Sequence, residues 1–407
     1  MWGERTMRSR GIPGTAAALL LGGALLLTTA CSSGTGGGTG GSATAPAAAG
    51  HSGAQAKPSA ATLAVLPADG SQNVAPNGAV KVSVTDGKLT QVTVTGPDGK
   101  PVAGTVGPDG SWVPTAALAV STKYQVNANA VDASGVATTT TSSFSTLTPS
   151  KTEKVRDNLD SNATYGVGMI ISVTFDKAVT NQQAAEQAIT VEATDGTTVK
   201  GHWFGPNRLD LRPENYWKPG TKVTVHRRVS GVELSPGVYG DSDTDETFTI
   251  GRSKVSTADA GTHQMTVVED GAPTKTIAIT AGADDNPSWN GTMVVFEKDR
   301  MVHMDSKTTN IKGAGYDVYE PHGLKITDSG SYVHGNPKAV DWAGKANISH
   351  GCIGLPDTDQ GEDGSVAGKF WADSIIGDVV IVQHSVGQPV APDNGLGGWN
   401  LPWSQWS

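Results

Sequence analysis

Cysteine is almost missing from this chain: 407 residues contain 2, Cys31 and Cys352. A disulfide framework of the kind that staples secreted domains is therefore excluded. Positive charge is also scarce. Lys and Arg number 30 against 39 Asp and Glu, a net charge of −9. The charges are spread along the chain with no basic stripe, which argues against nucleic-acid binding. Long apolar runs are absent as well. The stretch "AAALLLGGALLL" (16–27) is too short for a membrane span, which needs about 20 residues.

That short run has another reading. Arg5, Arg8 and Arg10 precede it, and the small residues "TTAC" come after it, ending at Cys31. Residues 1–30 thus read as an export signal. The pattern resembles a bacterial lipoprotein signal, in which the cysteine is lipidated and becomes the new N-terminus. Thr28 departs from it, standing at position −3 where Leu is preferred. The alternative is plain secretion with Cys31 left as a free thiol. Residues 31–59 are nearly all Gly, Ser, Thr, Ala and Pro, a composition that buries no core. They read as a tether of about 30 Å average span. The expected location is outside the cytoplasmic membrane, anchored by lipid and acting in the cell wall.

Beyond the tether the chain is rich in turns and strands. Gly numbers 52 and Pro 22. Alternating runs such as "AVKVSVTDG" (79–87) and "KYQVNANAVDASG" (123–135) predict a β-sandwich over 60–150. A second sandwich is predicted over 151–252, with a short helix at "TNQQAAEQ" (180–187). Its segment "GDSDTDET" (240–247) reads as an acidic loop. Asp241, Asp243, Asp245 and Glu246 are calcium-ligand types there, but the glycine of an EF-hand loop is missing, which favours a solvated turn. Residues 253–386 read as a third, mostly β unit with a short helix ending near Gly377. The tail, 387–407, carries Trp399, Trp403 and Trp406, which predicts packing on the body.

The third unit contains the chemistry. Its stretch "SHGCIGL" (349–355) holds Cys352, the one thiol left if Cys31 carries lipid. A thiol with a free pKa near 8.5 needs a base to act at neutral pH. Two histidines qualify. His350 lies two residues before it, on the same face of an extended strand. His334 sits in "YVHGNP", at a strand end before a turn. Gly351 frees the backbone, so that its N–H and that of Cys352 could form an oxyanion hole. Zinc held by His334, His350 and Cys352 is the metal rival, but it lacks a fourth ligand at standard spacing.

The run "HGN…SHGCIGL", with fourteen residues between His334 and Ser349, resembles the signature of the L,D-transpeptidase catalytic domain of bacterial cell walls. The order of tether, two domains, catalytic domain and Trp-rich tail is similar to that of the multidomain actinobacterial members. The fold class it implies is mainly β: two tandem immunoglobulin-like sandwiches, then the catalytic β-fold with a short helix. The resemblance makes Cys352 the nucleophile and His334 the base, oriented by the carbonyl of Gly335. His350 and Ser349 then shape the loop. It places Met304 on a substrate lid, Tyr316 in the donor pocket near the oxyanion hole, and Ser329 and Gly330 against the stem peptide. Gly354 is a departure, standing where the family usually has Asn or Arg.

The implied reaction is acyl transfer without a cofactor. Cys352 attacks the stem tetrapeptide, terminal D-Ala leaves, and the side-chain amine of a second stem's diamino acid takes the acyl group, giving a 3→3 cross-link. Carbapenem β-lactams are the implied covalent inhibitors. The rival readings are an L,D-carboxypeptidase, with water in place of the amine, and a wall-binding lipoprotein without catalysis.

Overall fold

A computed structural model describes residues 57–308 and 315–406. The export signal, Cys31 and nearly all of the tether lie outside the described residues. Strand is the dominant element, as the β-branched and alternating composition dictates.

The first sandwich pairs two four-stranded sheets. One contains Thr62–Leu66, Lys81–Thr85, Trp112–Pro114 and Gly104–Val106. The other contains Ser71–Val74, Ala137–Thr146, Lys123–Asp132 and Gly87–Thr95. Lys123–Asp132 shows why: every second residue from Tyr124 to Asp132 is buried. Asp86 takes φ 55° at the Asp86-Gly87 pair, where the chain passes from one sheet to the other. The core, around Val82, Val94, Trp112, Val126 and Phe144, belongs to this sandwich alone.

The second sandwich has its own pair of sheets, with α1 (Gln182–Gln187) where a helix was expected. One expectation fails here. The acidic segment is not a loop: Asp243–Ile250 is a strand, paired antiparallel with Lys222–Arg228. Alternation turns Phe248 and Ile250 into the core and leaves Asp243 and Asp245 exposed on the opposite face. Asp245 is paired with His226 and Arg228, and Asp243 accepts from the Ser230 amide. Among the described residues no group of three or more His, Cys, Asp or Glu is arranged to hold a metal ion.

The core of this sandwich does not stop at residue 252. It runs on into Val294 and Val379 of the third domain and Leu396 of the tail. Backbones touch at the junction. The Gly166 amide donates to Ile376 O at 2.8 Å, and a Cβ on Gly166 would stand 2.4 Å from the Gly377 carbonyl carbon. Only glycine permits this approach.

The third domain begins with β1 (Lys254–Asp259), β2 (Gln264–Glu269), β3 (Ala272–Ala278) and β4 (Gly291–Val294). It continues with β5 (Glu297–Asp305), β6 (Asp317–Lys325), β7 (Tyr332–Asn336), β8 (Ile353–Pro356) and β9 (Val379–Gln383). One sheet has the order β3-β2-β1-β9-β4, the other β5-β6-β7-β8. Short helices α2 (Ala339–Trp342) and α3 (Val366–Asp373) complete it. The second of these stops at Asp373, earlier than expected. The tail then returns along the second sandwich. Trp399 Nε1 donates to Gly168 O at 2.8 Å, and Trp406 Nε1 to Lys200 O at 3.0 Å.

Candidate active site

Two adjacent strands position the site. β7 and β8 run parallel, with His334 level with Gly354. His334 therefore stands one strand away from Cys352, which precedes β8. The loop leading to Cys352 is fixed by its own residues. Gly351 takes φ 116°, a conformation open to glycine. Ser349 is buried, and its Oγ donates to Cys352 O at 2.6 Å while accepting from Gly351 N at 3.2 Å. This engages one of the two expected oxyanion donors. The Gly351 N–H points at Ser349 rather than into the cavity, a correction to the expected pair.

His334 is buried, and its Nδ1 meets Gly335 O at 2.7 Å. A carbonyl only accepts, so Nδ1 carries the hydrogen and Nε2 is left bare as the basic nitrogen. Burial lowers the His334 pKa to about 4, against the opposing effect of the Gly335 carbonyl. Cys352 is 8% exposed, and burial pushes its thiol up to about 11. Burial thus favours the neutral form of both groups, imidazole and thiol. His350 is exposed, and its ring lies 5.1 Å from that of Tyr316.

Two cavities meet at that ring pair. One, of about 530 Å³, is lined by Cys352, His334, Met304, Tyr316 and Glu320 among others. The other, of about 400 Å³, contains Ser329, Gly330, His350 and again Tyr316. Gly330 also offers its carbonyl 3.8 Å from Cys352 Sγ. Tyr316 is tied to the end of β5 by backbone contact, since Ser306 just beyond that strand donates its N–H to Tyr316 O at 2.9 Å.

A bacterial Ig domain model matches residues 71–233, and an L,D-transpeptidase catalytic domain model matches residues 253–362. L,D-transpeptidase 2 of Mycobacterium tuberculosis is 32% identical over 342 residues, covering 83% of this chain and 82% of the relative. The chain belongs to the L,D-transpeptidase family. L,D-transpeptidase 5 of the same organism is 30% identical, covering 86% of this chain and 77% of its own length. A solved L,D-transpeptidase 3 from M. tuberculosis, in complex with a faropenem-derived adduct, is 27% identical. It covers 56% of this chain and 97% of its own, with a TM-score of 0.46.

This L,D-transpeptidase departs from the expected site at Gly354. The residue lines neither cavity. It is buried, its N–H donates to Thr280 O at 2.8 Å, and its carbonyl accepts from Thr280 N at 3.1 Å. A Cβ there would meet Thr280 Cγ2 at 2.8 Å and Asn336 Cβ at 3.2 Å. A side chain at position 354 would crowd Thr280 and Asn336, and Gly354 itself offers no group to either cavity. Asn336, which fills that space, does line the Cys352 cavity. Glu320 does too. Neither was singled out in the sequence, because only the pairing of β6, β7 and β8 brings them to Cys352.

Proposed function

We propose that Cys352 is the nucleophile of an acyl transfer between peptidoglycan stem peptides, with His334 as its base. The observation that carries the proposal is the shared cavity: a lone buried thiol opens onto it beside a histidine whose tautomer leaves Nε2 free to accept. As the S–C bond to the stem carbonyl forms, His334 Nε2 takes the thiol proton. It then delivers that proton to the departing amine of terminal D-Ala. The Cys352 N–H and the Tyr316 hydroxyl are the donors we assign to the developing oxyanion. Met304 closes one cavity, while Ser329 and Gly330 face a stem peptide in the other. A diamino-acid side chain of a second stem then takes the acyl group and completes a 3→3 cross-link. We further propose that a lipid on Cys31 holds the enzyme at the outer face of the cytoplasmic membrane.

The same thiol would open a strained β-lactam ring and retain it as a thioester. Incubation with a carbapenem should add one molecule of drug to the peptide "ISHGCIGLP", read by mass spectrometry. Cys352→Ala should abolish both the adduct and cross-linking. His334→Ala should slow acylation by about 10²–10⁴. An adduct that survives loss of His334 but not of His350 would give the base role to His350. With a stem tetrapeptide alone, tripeptide as the sole product would mean that water is the acceptor. Cys31→Ala should release the protein into the medium, and persistence in the membrane fraction would refute the lipid anchor.

A further inference from the structure

One group in the Cys352 cavity has no task in the acylation chemistry. Glu320 on β6 turns its carboxylate inward, with 19% of the side chain exposed. Its Oε2 is shut off from solvent and has no hydrogen-bond partner among the described residues. It lies 3.7 Å from His334 Nδ1, beyond hydrogen-bond length, and that nitrogen is already committed to Gly335 O. A desolvated carboxylate oxygen without a donor is costly, and a cationic ligand reaching the cavity-facing side of Glu320 offsets that cost. The other charged groups facing the cavity are Asp317, Asp359 and Lys338, all at exposed positions or nearly so. Asp317 is occupied by His303 at 2.7 Å. His334 and Cys352 are neutral at rest, so the cavity carries excess negative charge and suits a cation.

The second half of the reaction brings one. An acceptor side-chain amine arrives as an ammonium with three N–H bonds. The amide it becomes keeps one of them. As the N–C bond forms and the S–C bond breaks, one of the two protons lost returns to Sγ through His334. The other has to leave before the nitrogen can attack, and His334 cannot carry both. Water attacks without such a prior loss.

We propose that Glu320 binds the acceptor amine as its ammonium and takes the proton shed before the nitrogen attacks the Cys352 thioester. The inference rests on the acyl-transfer reading above and adds the residue that favours amine over water. Burial and the nearby Asp359 hold the Glu320 carboxyl up at about 7, with Lys338 acting against them. A base of that strength can take a proton from the acceptor and return it to solvent at neutral pH.

The test separates the two halves, with a stem tetrapeptide as donor and Nα-acetyl-lysine as acceptor amine. Carbapenem titration counts the sites that are folded and acylable in each variant. Per acyl-enzyme formed, Glu320→Gln should lower the ratio of amine-transfer product to tripeptide by at least about tenfold. Glu320→Asp, which keeps the carboxylate, should recover part of that ratio. The pH profile adds a signature that a structural role would not move. Transfer by the wild type should level off above about pH 7. Transfer by the Gln variant should keep rising about tenfold per pH unit towards the amine pKa near 10.4. An unchanged ratio and profile would overturn the proposal. So would a loss confined to acylation, which would mean that Glu320 acts through His334 or holds the donor. Failure of the wild type to form any acyl-enzyme would instead overturn the acyl-transfer reading itself.

Discussion

Trp406 is the deepest anchor of the C-terminal tail, and Trp406→Ala should uncouple the tail from the body. The indole is 1% exposed. It stacks on His202 at 5.1 Å and meets Phe204 edge-on at 6.0 Å. The Arg212 guanidinium lies 4.2 Å from its centroid, and also 4.6 Å from Trp399 and 5.3 Å from Trp403. Truncating a buried Trp to Ala costs about 3–5 kcal/mol. Losing the Nε1 bond leaves the Lys200 carbonyl without its partner, which adds about 1 kcal/mol. The same tail reaches the catalytic sheet. Asn400 Oδ1 accepts from Thr292 N at 2.8 Å, and Asn400 Nδ2 donates to Thr292 O at 2.6 Å on β4. Because the second sandwich and the catalytic domain share a core, they should unfold together. The assay is urea unfolding, monitored in parallel by tryptophan fluorescence and by loss of carbapenem acylation. Both transitions should move to lower urea by the same free energy, about 4–6 kcal/mol in total. A shift below about 1 kcal/mol, or a shift in fluorescence alone, would show that the tail is a loose appendage.

Other perturbations test the site. Glu320 titrates upward, from 4.5 to about 7, so its ionisation opposes folding and wild-type stability falls as pH rises through that window. Glu320→Gln should therefore stabilise the fold at pH 8 but not at pH 4.5, by about 1–2 kcal/mol of unfolding free energy once solvent screening is allowed for; equal effects at both pH values would refute the assignment. Gly335→Ala would place a Cβ 2.3 Å from Asp357 Oδ2. It should cost about 1–3 kcal/mol and slow acylation by displacing the carbonyl that holds His334, both of which an unchanged melting curve and adduct rate would contradict. Tyr316→Phe should slow acylation by about 10²-fold if its hydroxyl is an oxyanion donor, read from the rate of adduct formation.

Much of the architecture was legible in the sequence, for identifiable reasons. Period-two alternation marks the strands because only one face of each sandwich sheet is buried, as in Lys123–Asp132. The loop that carries Cys352 was legible because its parts are local: Ser349, Gly351 and Cys352 bond to one another within four residues. The Trp-rich end was legible because large aromatics demand burial. The misses at the site are long-range. Gly354 owes its identity to Thr280, far away in the chain, which occupies the space a side chain would need. Glu320 is buried only after β5, β6 and β7 have paired, and Pro321 beside it weakens the strand signal of β6. The acidic strand was the one avoidable miss. In "DTDETFTI" the alternate Phe248 and Ile250 mark the inward face, but the acids before them mask the strand signal.

The neutral resting pair bears on how such a site can be both reactive and safe. Burial raises the Cys352 thiol and lowers the His334 imidazole, so each group resists taking on charge. Ionisation of the pair therefore waits for a ligand that supplies compensation. A carbonyl held at the oxyanion donors does so, because the charge that leaves sulfur as the S–C bond forms is taken up on oxygen rather than stranded in a dry pocket. A small oxidant or alkylating agent offers no such oxygen and no binding energy. On the proposed mechanism, the shell that keeps Cys352 neutral at rest would also be the one that selects its substrates. Ser349 fixes the loop, Gly335 fixes the imidazole, and the packing of Thr280 and Asn336 around Gly354 keeps β8 in register behind both. Cys352 is a free, buried thiol, and under the proposed acyl transfer its chemistry would be reserved for substrates that carry their own stabilisation into the cavity.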